Sequence, residues 1–181
     1  MVLAVVTGAS RGLGFENAKS LAALGYDIVM IAKDPSRLSQ AQESLQHNHP
    51  NQHFTTYAVD LEELQATRNV VEMISQHHGS PELLILAHGV MSDKMSKTLK
   101  TNDAEWRRVM AINLDSVFTL VNGLAPAMVE ARSGRIIIYS ACLGRMSGPG
   151  NAGGLAPYRI SKAGVNALVR NLAHETGLGS R

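Results

Sequence analysis

Tyr158-Arg159-Ile160-Ser161-Lys162 places a phenol and an ammonium four residues apart, and on a helix those side chains share one face. That face continues through Val165, Val169 and Leu172, so it is expected to point inward. A lysine on an inward face costs free energy unless it is paired or useful. Held close, the Lys162 ammonium favours the phenolate form of Tyr158. Lowering a phenol pKa from about 10 to about 7 takes roughly 4 kcal/mol of differential stabilisation, much of which a nearby cation in a dry site supplies. A phenol tuned in this way can protonate a carbonyl oxygen as a hydride arrives at the carbon. Alone, Tyr-x3-Lys reads more readily as a snorkelling lysine beside a core tyrosine, and the rest of the chain has to decide.

Asn113 belongs to the same question. An apolar stripe of helical period runs through Trp106, Val109, Met110, Val117, Leu120, Val121 and Leu124. Asn113 falls within it, where an amide must find partners. It is either a satisfied core polar group or the holder of an ordered water beside Lys162 that passes protons.

The strongest local signal is Thr7-Gly8-Ala9-Ser10-Arg11-Gly12-Leu13-Gly14, which follows an apolar strand and opens a helix. That is the setting a dinucleotide phosphate site requires. Gly8 permits a tight turn, Gly12 lets backbone approach a pyrophosphate, and Gly14 allows close helix–strand packing. Ser10, Arg11 and Leu13 complete the turn, and the helix N-terminus presents N–H groups and partial positive charge.

An NAD site ends its second strand with an acidic residue for the ribose 2′-hydroxyl. Here Ile28-Val29-Met30-Ile31-Ala32 is followed by Lys33 and Asp34. With Arg11 in the turn, two cations near the ribose suit a 2′-phosphate, so NADP(H) is expected over NAD(H). Asp34 argues the other way if the strand runs one residue longer. Asp60-Leu61, after the third strand, suits either the adenine ring or the N-cap of a helix starting at Leu61.

The elements that must position these groups alternate. Strands are expected at 2–7, 27–32, 53–59, 82–87 and 134–140, and helices at 12–24, 35–47, 61–77, 103–130 and 157–175. Short apolar runs alternating with helical periods imply α/β architecture, a Rossmann-like doubly wound parallel sheet in three α/β/α layers. Pro126 should kink or end the first part of the long helical pattern. The glycine-rich stretch 144–154 reads as a mobile loop. One domain over 1–181 is the natural reading. The last helix should cross back into another parallel strand, so C-terminal strands are expected to be missing.

Together these residues resemble the short-chain dehydrogenase/reductase family from residue 2 to about 175. The resemblance rests on the Thr-Gly-x3-Gly-x-Gly turn, Asn113, and Tyr158 with Lys162. It implies interconversion of a carbonyl and an alcohol, Ala87 and Gly89 beside the cofactor, Lys162 binding the nicotinamide ribose, and homodimers or homotetramers built from the fourth and fifth helices. Two departures stand out. The family's Asn-Asn-Ala-Gly is Leu86-Ala87-His88-Gly89 here, which makes His88 a packing or hydrogen-bonding substitute near the nicotinamide. The serine that orients the substrate carbonyl falls on Ala141, with Ser140 one place earlier. Adjacent strand residues face opposite ways, so Ser140 can substitute only if the strand end is bulged.

A rival reading is a cofactor-binding protein, a sensor or oligomer partner, with weak or no catalysis. An epimerase or dehydratase that recycles its cofactor is disfavoured by the glycine spacing. A net charge of +2 does not argue for nucleic acid or a membrane surface, and no continuous apolar run approaches roughly 18 residues. Cys142 is the single cysteine, which fits a reducing, cytoplasmic setting. It has no nearby partner for nucleophilic work. His47, His49 and His53 lack cysteine or acidic partners at ligand spacing, so no metal is expected. His77-His78 suits the carbonyl end of a helix.

Overall fold

A computed structural model of the chain describes residues 2–93, 97–147 and 153–176. They gather in two compact units, Met1–His88 with Thr119–Tyr139, and Gly89–Phe118 with Ser140–Arg181.

The first unit holds a five-stranded parallel sheet, β1 (Leu3–Thr7), β2 (Asp27–Ala32), β3 (Phe54–Ala58), β4 (Leu83–Leu86) and β5 (Arg135–Ile138). The strand order is β3-β2-β1-β4-β5. Val5 pairs with Val29 on one side and Leu84 on the other. Ala4, Val6, Ile28, Met30 and Ile85 pack with Ala18, Leu21, Leu38 and Leu45 of helices α1 (Gly12–Ala23) and α2 (Pro35–Asn48). The alternate residues Val5, Val29, Ile31, Leu84 and Leu86 are buried too, so both faces are covered, as a parallel sheet demands. On the second side α3 (Leu64–His77) meets α5 (Ser116–Glu130) so closely that a side chain at Gly123 would strike Val71. The chain leaves β1 toward β2 on one side and β4 on the other, and that reversal is where doubly wound sheets bind ligands. The fold is the Rossmann-like one expected.

The second unit packs α4 (Asp103–Met110), a π-helical turn (Ala111–Asp115), a short 3-10 turn (Cys142–Gly144) and α6 (Ala156–Glu175). A side chain at Gly164 of α6 would lie 2.8 Å from Leu114. Leu155 enters α6 from the left-handed region at φ 55°, and Arg159 donates from Nε to the Gly154 carbonyl at 3.0 Å. The glycine-rich stretch lies partly outside the described residues, at 148–152.

Several expectations are corrected. The helix expected from Leu61 begins at Leu64, because Asp60 builds a turn first. Its carboxylate accepts the Glu62 N–H at 3.1 Å, and its carbonyl accepts the Glu63 N–H at 3.1 Å. The helix does not end at Pro126, through which α5 continues, and a π-helical irregularity falls earlier, at Ala111–Asp115. Trp106 is 37% exposed and Val169 40%, so neither lies on the inward stripe assigned to it. His77 closes the helix with Nδ1 2.9 Å from the Met73 carbonyl oxygen, and His78 is its C-cap. Burial and the charge of His77 lower the His78 pKa, while the His78 Nε2 lies 3.1 Å from the Tyr57 hydroxyl. By length and composition the run Asp103–Glu130 could cross a bilayer, but its Val109, Val117, Leu120 and Leu124 are buried in protein.

Candidate active site

The phosphate turn forms as β1 ends. Gly8 sits at φ 66° and Gly12 at φ 59°, a region open to glycine at little cost. A side chain at Gly8 would stand 3.1 Å from both the Ala87 carbonyl oxygen and the His88 nitrogen. One at Gly14 would collide with the Gly8 carbonyl group and the Thr7 carbonyl oxygen. Arg11 is the extended N-cap of α1 and supplies no side-chain cap. The N–H groups of the first turn are thus not capped by a side chain, the condition in which a helix N-terminus receives an anion. The turn fits a dinucleotide pyrophosphate. Ser10 is half-buried, Arg11 and Leu13 are exposed, and Ala87 packs against the core from the end of β4.

Beside the turn, β2 ends at Ala32. The strand is not one residue longer, and Asp34 is the N-cap of α2, accepting the Arg37 N–H at 3.0 Å. Lys33 stands 2.5 Å from Asp60, so the cation expected for a 2′-phosphate is held by a carboxylate. Leu61 is buried.

In the second unit the hydroxyl and amide groups converge. Asn113 lies in the π-helical turn, fully buried. Its Oδ1 accepts the Val90 N–H at 2.8 Å, and its Nδ2 donates to the Val90 carbonyl at 2.9 Å and to Ser161 Oγ at 3.1 Å. Ser161 in turn donates to the Tyr158 carbonyl at 2.8 Å. Lys162 is 5% exposed, and a side chain at Gly89 would lie 3.4 Å from its Nζ and 3.2 Å from Asn113 Oδ1. Gly89, Asn113, Tyr158 and Lys162 are thereby drawn into one neighbourhood. The Asn113 amide is satisfied by protein groups and stands beside Lys162.

The protonation states depart from expectation. Burial raises the Tyr158 pKa above its ordinary value, and charge on Cys142 adds to the rise. Burial also lowers the Lys162 pKa. Desolvation drives each of the two groups toward its neutral form.

Ser140 lies beyond the end of β5, and its Oγ donates to the Lys162 carbonyl at 3.3 Å. Ala141, in extended backbone, begins the 3-10 turn. Ser161 went unnoticed as a site residue. Its signal was present, because it is polar, three residues after Tyr158 and on the same inward face. The contact of Thr7 with His88 across 81 residues had no local signal.

The fold is that of a Rossmann-type α/β protein. A sequence model described as short chain dehydrogenase matches residues 2–178. The 3-oxoacyl-(acyl-carrier-protein) reductase FabG of Pseudomonas aeruginosa is 33% identical over 175 residues, covering 97% of this chain and 68% of that protein. FabG of Escherichia coli is 32% identical over 173 residues, with 96% and 66% covered. A metagenomic short-chain oxidoreductase solved in complex with NADP matches at a TM-score of 0.86 and 32% identity, over 96% of this chain and 76% of that one. Carveol dehydrogenase from Mycobacterium avium, in complex with NAD, matches at 0.85 and 25%, over 97% and 66%. The chain belongs to the short-chain dehydrogenase family, and it spans about two thirds of the length of these curated relatives.

Proposed function

We propose that the protein interconverts a small carbonyl compound and its secondary alcohol with NADP(H), using Tyr158 as acid and base. One observation carries this reading. Lys162 is buried one helical turn from Tyr158, beside a network that Asn113 and Ser161 tie to the backbone at Val90.

When bound, the nicotinamide supplies or accepts the hydride at the substrate carbon. The phenol of Tyr158 is kept protonated by burial, which suits it to donate to the carbonyl oxygen in reduction. Lys162 holds the nicotinamide ribose and steadies the phenol in the charged moment of transfer. Asn113 fixes the Gly89–Val90 backbone against α6. The turn Gly8–Gly14, with Ser10, Arg11 and Leu13, takes the pyrophosphate. Arg11 and Lys33 face the 2′-phosphate, Asp60 and Leu61 flank the adenine, and Ala87 and Gly89 line the nicotinamide side. NADPH is preferred to NADH because two cations serve the ribose end.

The test is a carbonyl panel, 3-oxoacyl thioesters included, with NADPH absorbance as readout. Tyr158→Phe should lower turnover about 10³-fold while NADPH affinity stays within about threefold. Retained turnover in that variant refutes the assignment.

Ala141 favours a second reading, cofactor binding with weak catalysis. A methyl group stands where the family's carbonyl-orienting hydroxyl is expected, and the neighbouring Ser140 hydroxyl is directed to a backbone carbonyl. A missing oxyanion-type donor costs on the order of 10²-fold. NADPH binding without turnover across the panel selects this reading, and Ala141→Ser should then restore activity.

The outward apolar residues Phe118 of α5 and Ile160 of α6 suit a homodimer or homotetramer, read by light scattering. The reduced Cys142 and the FabG relatives suit a cytoplasmic setting.

A further inference from the structure

The Thr7 hydroxyl is fully buried and has two partners at the end of β4. It accepts the Ala87 N–H at 3.1 Å, and it lies 2.6 Å from Nδ1 of the half-buried His88. A buried hydroxyl needs an acceptor for its own hydrogen. With Ala87 already donating to the oxygen, that hydrogen goes to Nδ1. His88 is then neutral, with its proton on Nε2.

Thr7 is the first residue of the phosphate turn, and Gly8 follows it at φ 66° against the Ala87 carbonyl and the His88 nitrogen. The imidazole therefore fixes the side chain at the point where the strand becomes the turn. We propose that His88 is a positioning residue for the dinucleotide turn, acting through Thr7 and without touching the reacting atoms. This rests on the cofactor reading above. Without the imidazole, the Thr7 hydroxyl loses its acceptor, the turn is no longer held in its binding geometry, and ordering it weakens the dinucleotide.

The test compares His88→Phe, which keeps a ring but no acceptor, with His88→Asn, whose Oδ1 stands where Nδ1 stood. NADPH fluorescence titration of the full chain should show His88→Phe weakened about tenfold and His88→Asn within about twofold of wild type. Thr7→Val should match His88→Phe, and the double variant should be no weaker than either alone. A bulkier ring that merely disturbs packing would not be rescued by asparagine, nor share its loss with Thr7→Val. Long-range proton–nitrogen NMR of the wild type should show His88 as the Nε2–H tautomer at about pH 7. Unchanged affinity in His88→Phe, failure of the asparagine to rescue, or an Nδ1–H tautomer overturns the proposal. If the wild type binds neither NADPH nor NADH, the cofactor reading itself falls, and this proposal with it. Wild-type binding with an indifferent His88→Phe sinks only the role of His88.

Discussion

The two units solve different problems with different materials. The phosphate turn of the first is made of backbone, with glycines at positive φ, a helix start without a side-chain cap, and a strand end that leaves no room for a side chain at Gly14. The cluster of the second is made of side chains from three stretches far apart in sequence, joined by Asn113 to Val90 across 23 residues and to Ser161 across 48. Backbone sites are set by where a Cβ cannot go, and they fail abruptly. Side-chain sites are set by how many polar atoms find partners, and they fail by degrees.

Gly14→Val should break the first unit most completely. Its Cβ would lie 2.6 Å from the Gly8 carbonyl carbon and 2.8 Å from the Thr7 carbonyl oxygen, and rigid backbone on both sides cannot yield cheaply. Overpacking of this kind costs about 3 kcal/mol or more, so Tm should fall by roughly 6–12 °C. NADPH binding should be undetectable. A variant that keeps both would show that the turn is softer than its contacts imply.

Lys162→Met takes the comparison to the second unit and should separate stability from activity. Turnover should drop by about 10²-fold or more. Stability should rise, because burial lowers the lysine pKa in the folded protein. A lowered native pKa means that the unfolded chain binds the proton more tightly, so the folded state carries a penalty at low pH that disappears as pH climbs. The gain should therefore be fullest below the lowered native value and vanish by about pH 10.4, the ordinary lysine range. Each 1 kcal/mol corresponds to roughly 2–4 °C in Tm. Tyr158, whose native pKa is raised, contributes in the opposite sense, with stability lost as pH rises above about 10. Melting curves taken below that pH isolate the lysine. A uniformly destabilised Lys162→Met would mean that the ammonium is better compensated than its burial implies.

The contrast between the units also explains what the sequence disclosed. The turn Thr7–Gly14 is contiguous and lies between a strand and a helix, so its tight geometry was readable from spacing alone. Tyr158 and Lys162 share one helical face, and that much followed from a period of 3.6. The π-helical turn at Ala111–Asp115 was invisible, because it breaks the period on which the reading depends. A carboxylate before an apolar residue is a cap signal, which is why a helix N-cap was one of the two readings open for Asp60. A turn closed by its own backbone carbonyl leaves no trace in residue types. The outward positions of Trp106 and Val169 likewise depend on neighbours that periodicity does not contain. The raised pKa of Tyr158 was missed because the charge of Lys162 is visible in the sequence and its desolvation is not.

Ser161→Ala tests the graded failure of the side-chain cluster. It leaves one N–H of the buried Asn113 amide without its oxygen acceptor, at about 1–2 kcal/mol or roughly 2–8 °C in Tm. Turnover should fall about tenfold through small misplacement of the Tyr158 turn, with NADPH affinity held. Equal losses in affinity and turnover would contradict the division of labour between the units.

The smallest effect should come from the exposed Lys33 and the half-buried Asp60, which are ion-paired at 2.5 Å. Pairs of this kind are worth about 0–1 kcal/mol. A 2′-phosphate, carrying more charge than one carboxylate, can therefore draw Lys33 away at little cost. Asp60→Asn removes the competitor while keeping an oxygen for the Glu62 N–H. NADPH should then bind about two- to fivefold more tightly, with NADH affinity unchanged. Lys33→Ala should weaken NADPH alone by about tenfold. Titrating both dinucleotides against both variants reads the ratio directly, and added salt should shrink every difference. If the ratio does not move in either variant, Lys33 does not touch the phosphate, and Arg11 at the N-cap of α1 becomes the cation on which NADP preference must rest.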